Sequence, residues 1–204
     1  MAEITAITPQ QKDKTRCNIE IDGKFCCGMK LDTVLANGLK AGMSVDTGEL
    51  SRLQLESEKL TALDKALRHI SVTMKTEQEI AAFLKKKGYL EDVVAYVLDK
   101  MKDYGFVDDE AFAASYVEGA SKRKGSRLIR LELRQKGVSA ETVDSALSAL
   151  EDETESAKRC LLKYLRGKNL DDGAAVQKAY RNLLSKGFDY DTAKEAIESL
   201  KNED

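Results

Sequence analysis

Apolar residues are spaced in two different ways along this chain, and the change comes near residue 46. Before it the period is short. EITAIT alternates apolar and polar positions from Ile4, and NIEIDGKFCCGM forms two brief runs around Asp22-Gly23. Alternation marks a strand with one buried face, and Asp-Gly supplies the positive φ angles of a type I′ hairpin turn. KLDTVLANG then predicts one short helix, with Asp32 as its N-cap and Gly38 as its stop. After Asp46 the spacing becomes helical and stays so. Leu60, Leu63, Leu67 and Ile70 follow one another at steps of three and four, a single apolar stripe. The preceding GELSRLQLESE either extends that helix or forms its own. The chain's single proline, Pro9, leaves every later helix free of ring clash.

The helical part repeats itself. KKKGYLEDVVAYVLDKM, RQKGVSAETVDSALSAL and LSKGFDYDTAKEAIESL superpose without a gap. Each carries Lys-Gly and then an apolar residue: Lys87-Gly88-Tyr89, Lys136-Gly137-Val138 and Lys186-Gly187-Phe188. Apolar positions follow at matching offsets: Val94, Val143 and Ala193; Leu98, Leu147 and Ile197; Met101, Leu150 and Leu200. Gly suits the left-handed position just past a helix end, and the apolar residue after it packs back onto that helix. Lys-Gly-apolar therefore marks a helix-turn-helix corner, with the second helix capped by Asp or Ser. The glycines recur about every 50 residues, which leaves room for a third helix per unit and is longer than tetratricopeptide or HEAT periods.

The chain thus reads as mainly α: tandem three-helix repeats with a small β-rich N-terminal module. The expected boundaries are 1–50 for the module, 51–107 for the first repeat with its lead-in helix, 108–150 for the second and 151–204 for the third. Units this small bury their apolar faces best against neighbours, so an elongated, curved array is the expected shape. The join YGFVDDEAF is legible in detail. Gly105 ends one helix and Asp108 caps the next, while Val107 and Phe112 stand at the positions of a hydrophobic staple. Asp109 and Glu110 fall in the first turn, where the helix dipole favours acids.

Charge changes this picture only in the second repeat. The chain as a whole has a net charge of −2. Residues 108–150 hold seven acids and seven bases, yet all seven bases lie between Lys122 and Lys136, where Glu132 is the one acid. With Ser126 as N-cap of a middle helix, Arg127, Arg130 and Arg134 fall within about 60° of one another, and Ile129 and Leu133 lie on the other side. Lys122, Arg123 and Lys124 stand just upstream. The third repeat offers a weaker echo in Arg159, Lys163 and Arg166. A solvated face answered by acids elsewhere competes with a surface for a polyanion or an acidic protein. Pairs of Glu and Lys four residues apart are scarce here, and concentrated Arg suits phosphate or carboxylate. Charge alone does not choose between a phosphate backbone and an acidic protein groove. The absence of aromatics from the row argues against base-stacking on single strands.

Catalytic chemistry has nothing to attach to. His69, the chain's single histidine, sits near a helix end, and no phosphate-cradling Gly-rich loop, G-x-S-x-G or H-E-x-x-H is present. The four cysteines (Cys17, Cys26, Cys27 and Cys160) lack C-x-x-C spacing and read as reduced thiols. The expectations are no enzyme, no metal, no cofactor and no membrane span. Without a secretory signal at its head, the chain is expected in the cytoplasm.

FVDDEAFAASYVEGASKRKGSRLIRLELRQKGV resembles the core motif of the RecX regulatory proteins. The matching positions are Asp108, Asp109, Glu110, Phe112, Ala113, the 122–125 stretch, Arg130, Glu132, Leu133, Lys136 and Gly137. ALRHIS followed by EQEIAAFLKKKGY is similar to the family's first repeat. The resemblance covers about 58–204 well and 1–50 loosely. One departure is the corner Val72-Thr73-Met74-Lys75, where the family usually has an Arg-rich, often Pro-containing turn; only Lys75 is basic here. The resemblance implies a binding regulator of the RecA recombinase. Such proteins modulate its filament on single-stranded DNA, usually inhibiting strand exchange and ATP hydrolysis during recombination and repair. Lys122, Arg123, Lys124, Arg127, Arg130 and Arg134 would make the electrostatic contacts, with Lys75, Arg159, Lys163 and Arg166 as weaker candidates. The partner would be the RecA filament, with the DNA phosphate backbone a further contact, and the chain itself is expected to be a monomer. A helical nucleic-acid-binding protein acting without RecA, and a plain adaptor using apolar grooves, are the alternative readings.

Overall fold

The computed structural model describes residues 2–150, 152–165 and 173–203. Four strands lead: β1 (Ala2–Pro9), β2 (Arg16–Ile21), β3 (Lys24–Lys30) and, after the short helix α1 (Leu31–Ala36), β4 (Ser44–Val45). Among the described residues nine longer helices follow: α2 (Thr47–Ile70), α3 (Glu77–Lys86), α4 (Glu91–Asp103), α5 (Asp109–Ala120), α6 (Ser126–Gln135), α7 (Ala140–Ser148), α8 (Thr154–Leu165), α9 (Gly173–Ser185) and α10 (Tyr190–Glu203). They gather into two compact units, one of Met1–Met74 with Ile80–Val107, the other of Lys75–Glu79 with Asp108–Asp204.

In the first unit the strands form one antiparallel sheet in the order β3-β2-β1-β4. Asp22 and Gly23 both take positive φ, +50° and +74°, as a type I′ turn requires. Alternation puts Ile4, Cys17, Ile19, Cys27 and Met29 on the buried face, and Cys26 on the exposed one. The N-cap of α1 is Lys30 and not Asp32; Asp32 sits in the first turn, where its charge meets the helix dipole instead.

The expected boundary after residue 50 falls inside α2. This helix runs unbroken for 24 residues from an Asp46 cap whose carboxylate accepts from the Glu49 amide. Its first half buries Leu50 and Leu53 in the sheet's core, and its second half sets Ala62 and Ala66 in the core of the first repeat. Hydrogen bonds tie both halves to the sheet. Arg16 donates to Thr61 Oγ1 at 2.7 Å, the Lys30 amide donates to Ser57 Oγ at 2.6 Å, and Lys30 Nζ meets Asp64. Leu63, Leu67 and Ile70 of the expected stripe pack around the alanines at the margin of that core, which Ile80, Leu84, Val94, Leu98 and Met101 complete. His69 lies flat on Phe83 at 4.0 Å between ring centres, a packing role.

The second unit holds two further three-helix repeats, α5–α7 and α8–α10. The repeated apolar positions do what their spacing predicts: Val138 and Phe188 after the glycines, Val143 and Ala193, and Leu147 and Ile197 are all buried. Ser139 caps α7, and Asp189 accepts from the Thr192 amide at the head of α10. The first repeat departs from this rule, since the N-cap of α4 is Leu90 with no side-chain cap. At the 105–112 join, Asp108 accepts from the Glu110 and Ala111 amides at 2.9 Å each, and Val107 and Phe112 are both buried.

The Lys-Gly corners have a second job that spacing did not announce. The corner of the third repeat closes the head of α6. Gly125 N donates to the Lys186 carbonyl at 2.9 Å and Arg127 N to the Gly187 carbonyl at 3.2 Å, while Ser126 N donates to Glu153 Oε1 at 2.9 Å. These amides would otherwise lack partners at a helix start. The corner of the second repeat makes a related joint with the segment 75–79, where Thr76 Oγ1 donates to the Lys136 carbonyl at 2.6 Å and Glu77 N to Asp109 Oδ1 at 2.9 Å. The backbones approach so closely that side chains are excluded. A Cβ on Gly125 would lie 2.3 Å from Phe188 N, and one on Gly187 2.3 Å from Leu128 N.

Gly88 and Gly187 share the same left-handed backbone, φ +86° and +88°, but a Cβ on Gly88 would meet nothing within 4 Å. Gly88→Ala should therefore cost about 1–2 kcal/mol, the left-handed penalty alone. Gly187→Ala adds a clash with backbone and should cost at least about twice as much. Urea unfolding of the two variants checks this, and equal losses would count against the joint.

Candidate partner interface

Helix α6 owes its orientation to two fully buried residues, Ile129 and Leu133, in the core that it shares with α5 and α7. That anchoring turns Arg127, Arg130 and Arg134 outward, and all three are exposed. The N-cap is Gly125 rather than Ser126, because the head of α6 is closed by the third repeat and not by its own serine. One residue on the exposed face was not among the expected candidates. Leu131 keeps 53% of its surface, and at 100° per residue it stands within about 60° of Arg127 and Arg134. Its polar neighbours had masked an apolar residue without a place in the core.

The seven bases divide by partner. Lys124, expected as a contact just upstream of the row, is tied inward. Its ammonium reaches both oxygens of Glu132, at 2.5 and 2.7 Å, and Tyr116 donates to the same carboxylate at 2.7 Å. Burial pushes the Glu132 carboxyl up, but the hydrogen bonds from Lys124 and Tyr116 outweigh it and hold the group below the usual carboxylate range. The bond to Glu132 raises the Lys124 ammonium, and burial followed by the same carboxylate raises the Tyr116 phenol. The one acid in the basic stretch thus organises a small closed network.

Lys136 pairs with Glu79 at 2.7 Å, and Arg130 pairs with Asp144 of α7. The Arg130 pair is about half exposed on both sides, so it contributes little and exchanges readily. Among the described residues Arg134 holds no ion pair; it makes a long 3.5 Å contact with the Val138 carbonyl, and its charge reaches Glu141. Arg127 lies near Asp189 and helps depress its carboxyl, after the larger effect of hydrogen bonds from Thr192. Among the described residues Lys122, Arg123 and Arg127 hold no ion pair. Acids remote in sequence therefore answer part of the positive charge and leave the rest to solvent.

Lys122 and Arg123 are exposed on the turn after α5, and the Cys160 thiol donates to the Arg123 carbonyl at 3.5 Å, so this turn lies against α8. Arg159 and Lys163 are exposed on α8. They are not an echo of the α6 row, because α8 is the first helix of its repeat and α9 is the counterpart of α6. They stand on the helix against which the 121–124 turn packs. Arg166 lies outside the described residues. Lys75 is half-buried near Glu79, and its charge assists Lys136 in lowering that carboxyl against burial. Among the described residues no three His, Cys, Asp or Glu side chains come together as metal ligands, and no helix is long and apolar enough to cross a membrane.

Four family models match the chain in order. They are the Regulatory protein RecX N-terminal domain at residues 2–46 and the first, second and third three-helix domains of RecX at 62–111, 108–147 and 151–197. The chain is 31% identical over 207 residues to Regulatory protein RecX of Clostridium botulinum (strain Alaska E43 / Type E3), covering 99% of this chain and 98% of that one. It is 32% identical over 208 residues to Regulatory protein RecX of Bacillus subtilis (strain 168), covering 100% of this chain and 79% of that one. The chain belongs to the RecX family. A crystal structure of regulatory protein RecX superposes with a TM-score of 0.70 at 30% identity, covering 95% of this chain and 98% of that one. The crystal structure of RecX from Lactobacillus salivarius superposes with a TM-score of 0.65 at 26% identity, covering 71% of this chain and 97% of that one.

Within this RecX-family chain the matched N-terminal domain ends at 46 and the first three-helix domain begins at 62. The interval between them is the first half of α2, whose buried leucines belong physically to the sheet. The second three-helix domain carries both the α6 row and the Lys124–Glu132–Tyr116 network.

That network makes stability depend on pH in a defined sense. A carboxyl depressed in the folded state adds stability that is present above its unfolded value, here near the ordinary 4.5, and is lost as pH falls through the folded value. Glu132→Gln should therefore be less stable than the parent at neutral pH, by about 1 kcal/mol, and the gap should close in acid. Urea unfolding at neutral pH and at about pH 3 checks this. A gap that persists in acid would show that packing, not charge, holds Glu132 in place.

Proposed function

We propose that this RecX-family chain binds the RecA recombinase filament on single-stranded DNA and restrains it, acting in the cytoplasm during recombination and repair. It does so without chemistry of its own. The reading rests on family membership together with one observation, the exposed α6 row in which Arg127 has no ion pair among the described residues, Arg134 only a weak contact and Arg130 an exchangeable one. Lys122 and Arg123 on the turn after α5, and Arg159 and Lys163 on the helix that this turn packs against, supply further exposed charge. Lys124 supports the surface from below. Leu131 within the row favours an acidic protein surface over bare phosphate, because a phosphate backbone offers an exposed leucine nothing to cover it.

Arg127→Ala, Arg130→Ala and Arg134→Ala combined should leave the helix content unchanged and weaken inhibition of RecA ATPase on single-stranded DNA by about tenfold or more, since each exposed charge pair contributes about 0.5–1 kcal/mol. Parent inhibition should fall steeply with salt. Adding the protein to naked DNA before RecA, and to preformed filaments, separates filament binding from DNA binding. Undiminished inhibition by the triple variant would overturn this assignment, and tight binding to naked DNA alone would favour a nucleic-acid-binding protein acting without RecA.

A further inference from the structure

The second repeat carries a groove that the filament reading does not use. It lies between α5 and α7, encloses about 800 Å³, and takes no residue from α6. Four small apolar side chains, Ala111, Ala114, Ala146 and Ala149, line it together with Val117 and Leu150. Asp108, Glu110, Glu118 and Glu141 stand around it with no base in the lining. Hydrogen bonds at the head of α7, its own amide first and Ser139 next, hold the Glu141 carboxyl down with a smaller contribution from Arg134, and Asp108 is engaged in capping α5, which leaves Glu110 and Glu118 as acids with neither a cap nor an ion pair to make among the described residues.

The same repeat displays the complement of this groove. Leu131 projects from α6 with Arg127 and Arg134 beside it, an apolar knob between cations. The groove offers an apolar lining between carboxylates. We infer that the α6 face of one chain docks into the α5/α7 groove of a second copy, Leu131 on the apolar lining and the flanking arginines on Glu110 and Glu118. A one-sided contact of this kind joins two different surfaces, so each chain keeps one of the two free for another copy. A helix laid in a groove of this size falls below the area of stable dimers, so association is weak and depends on charge. The expected monomer is then the high-salt form.

Sedimentation velocity on the full chain tests this at about 50 mM and about 0.5 M salt, up to about 0.1 mM protein. The average mass should rise with concentration at low salt and return to that of a single chain at high salt. Glu118→Lys with Ser145→Lys places charge on the groove, and Arg127→Ala with Leu131→Ser removes the knob and a cation. Each variant alone, with unchanged circular dichroism, should stay monomeric. An equimolar mixture should form a dimer, because one partner retains an intact groove and the other an intact α6 face. The filament reading assigns no contact to the groove, so the groove variant should lose self-association while still inhibiting RecA. Single-chain mass for the parent at low salt overturns the inference, as does self-association that survives the groove variant. Neither result touches the filament reading, which stands or falls on inhibition by the α6 variants.

Discussion

The head of α6 is a helix start closed by another part of the chain. Three amides, those of Gly125, Ser126 and Arg127, find acceptors in the Lys186 and Gly187 carbonyls and the Glu153 carboxylate. Buried amides without partners are costly, so this closure fixes where α6 begins. It is possible only because Gly125 and Gly187 lack a Cβ, for either side chain would stand 2.3 Å from a backbone atom of the other repeat. Once its start is fixed and Ile129 and Leu133 are sunk in the core, the helix has no rotational freedom left. The outward row is thus a consequence of the joint and the core together. No attraction among the arginines is needed, and their mutual repulsion opposes it.

Much of the fold was legible. Alternation around Asp22-Gly23, the three Lys-Gly corners and the matching apolar offsets are local patterns, and each found its place. What failed to show were relationships between elements. Spacing treats Gly88, Gly137 and Gly187 alike as turn residues, and all three are left-handed, whereas only the second and third also press against side chains or backbone from elsewhere. The caps assigned to Asp32 and Ser126 were wrong for one reason. A cap motif names a candidate donor pair within a few residues, but a distant carbonyl or a shifted helix start takes precedence when tertiary structure supplies it. Spacing offered no sign that α2 runs through residue 50 and serves two cores, because a helix with buried residues on both halves shows one continuous pattern.

The site was legible in part. Counting charges along the sequence found the basic stretch and its exposed arginines. It did not find which bases were already answered, because Asp144 and Glu79 are far away in the chain. It also misjudged Glu132, the acid that seemed an exception to the basic run. By binding Lys124 and Tyr116 at once, Glu132 converts the innermost base into scaffold. A single acid inside a basic stretch can be the strut on which the rest is displayed.

Charge segregation within the second repeat has a consequence that net charge conceals. Seven bases and seven acids cancel in sum, yet α6 and the turns that flank it carry all of the first, and the α5/α7 groove is lined by four of the second. Such a unit is electrically polar, and its interactions are long-range at low ionic strength and short-range at high. Exposed pairs contribute little individually, so affinity has to come from several acting together on one rigid helix. Rigidity is what the glycine joint and the buried face supply. The features that spacing read as turns and core are therefore the same features that let a modest set of surface charges act in concert.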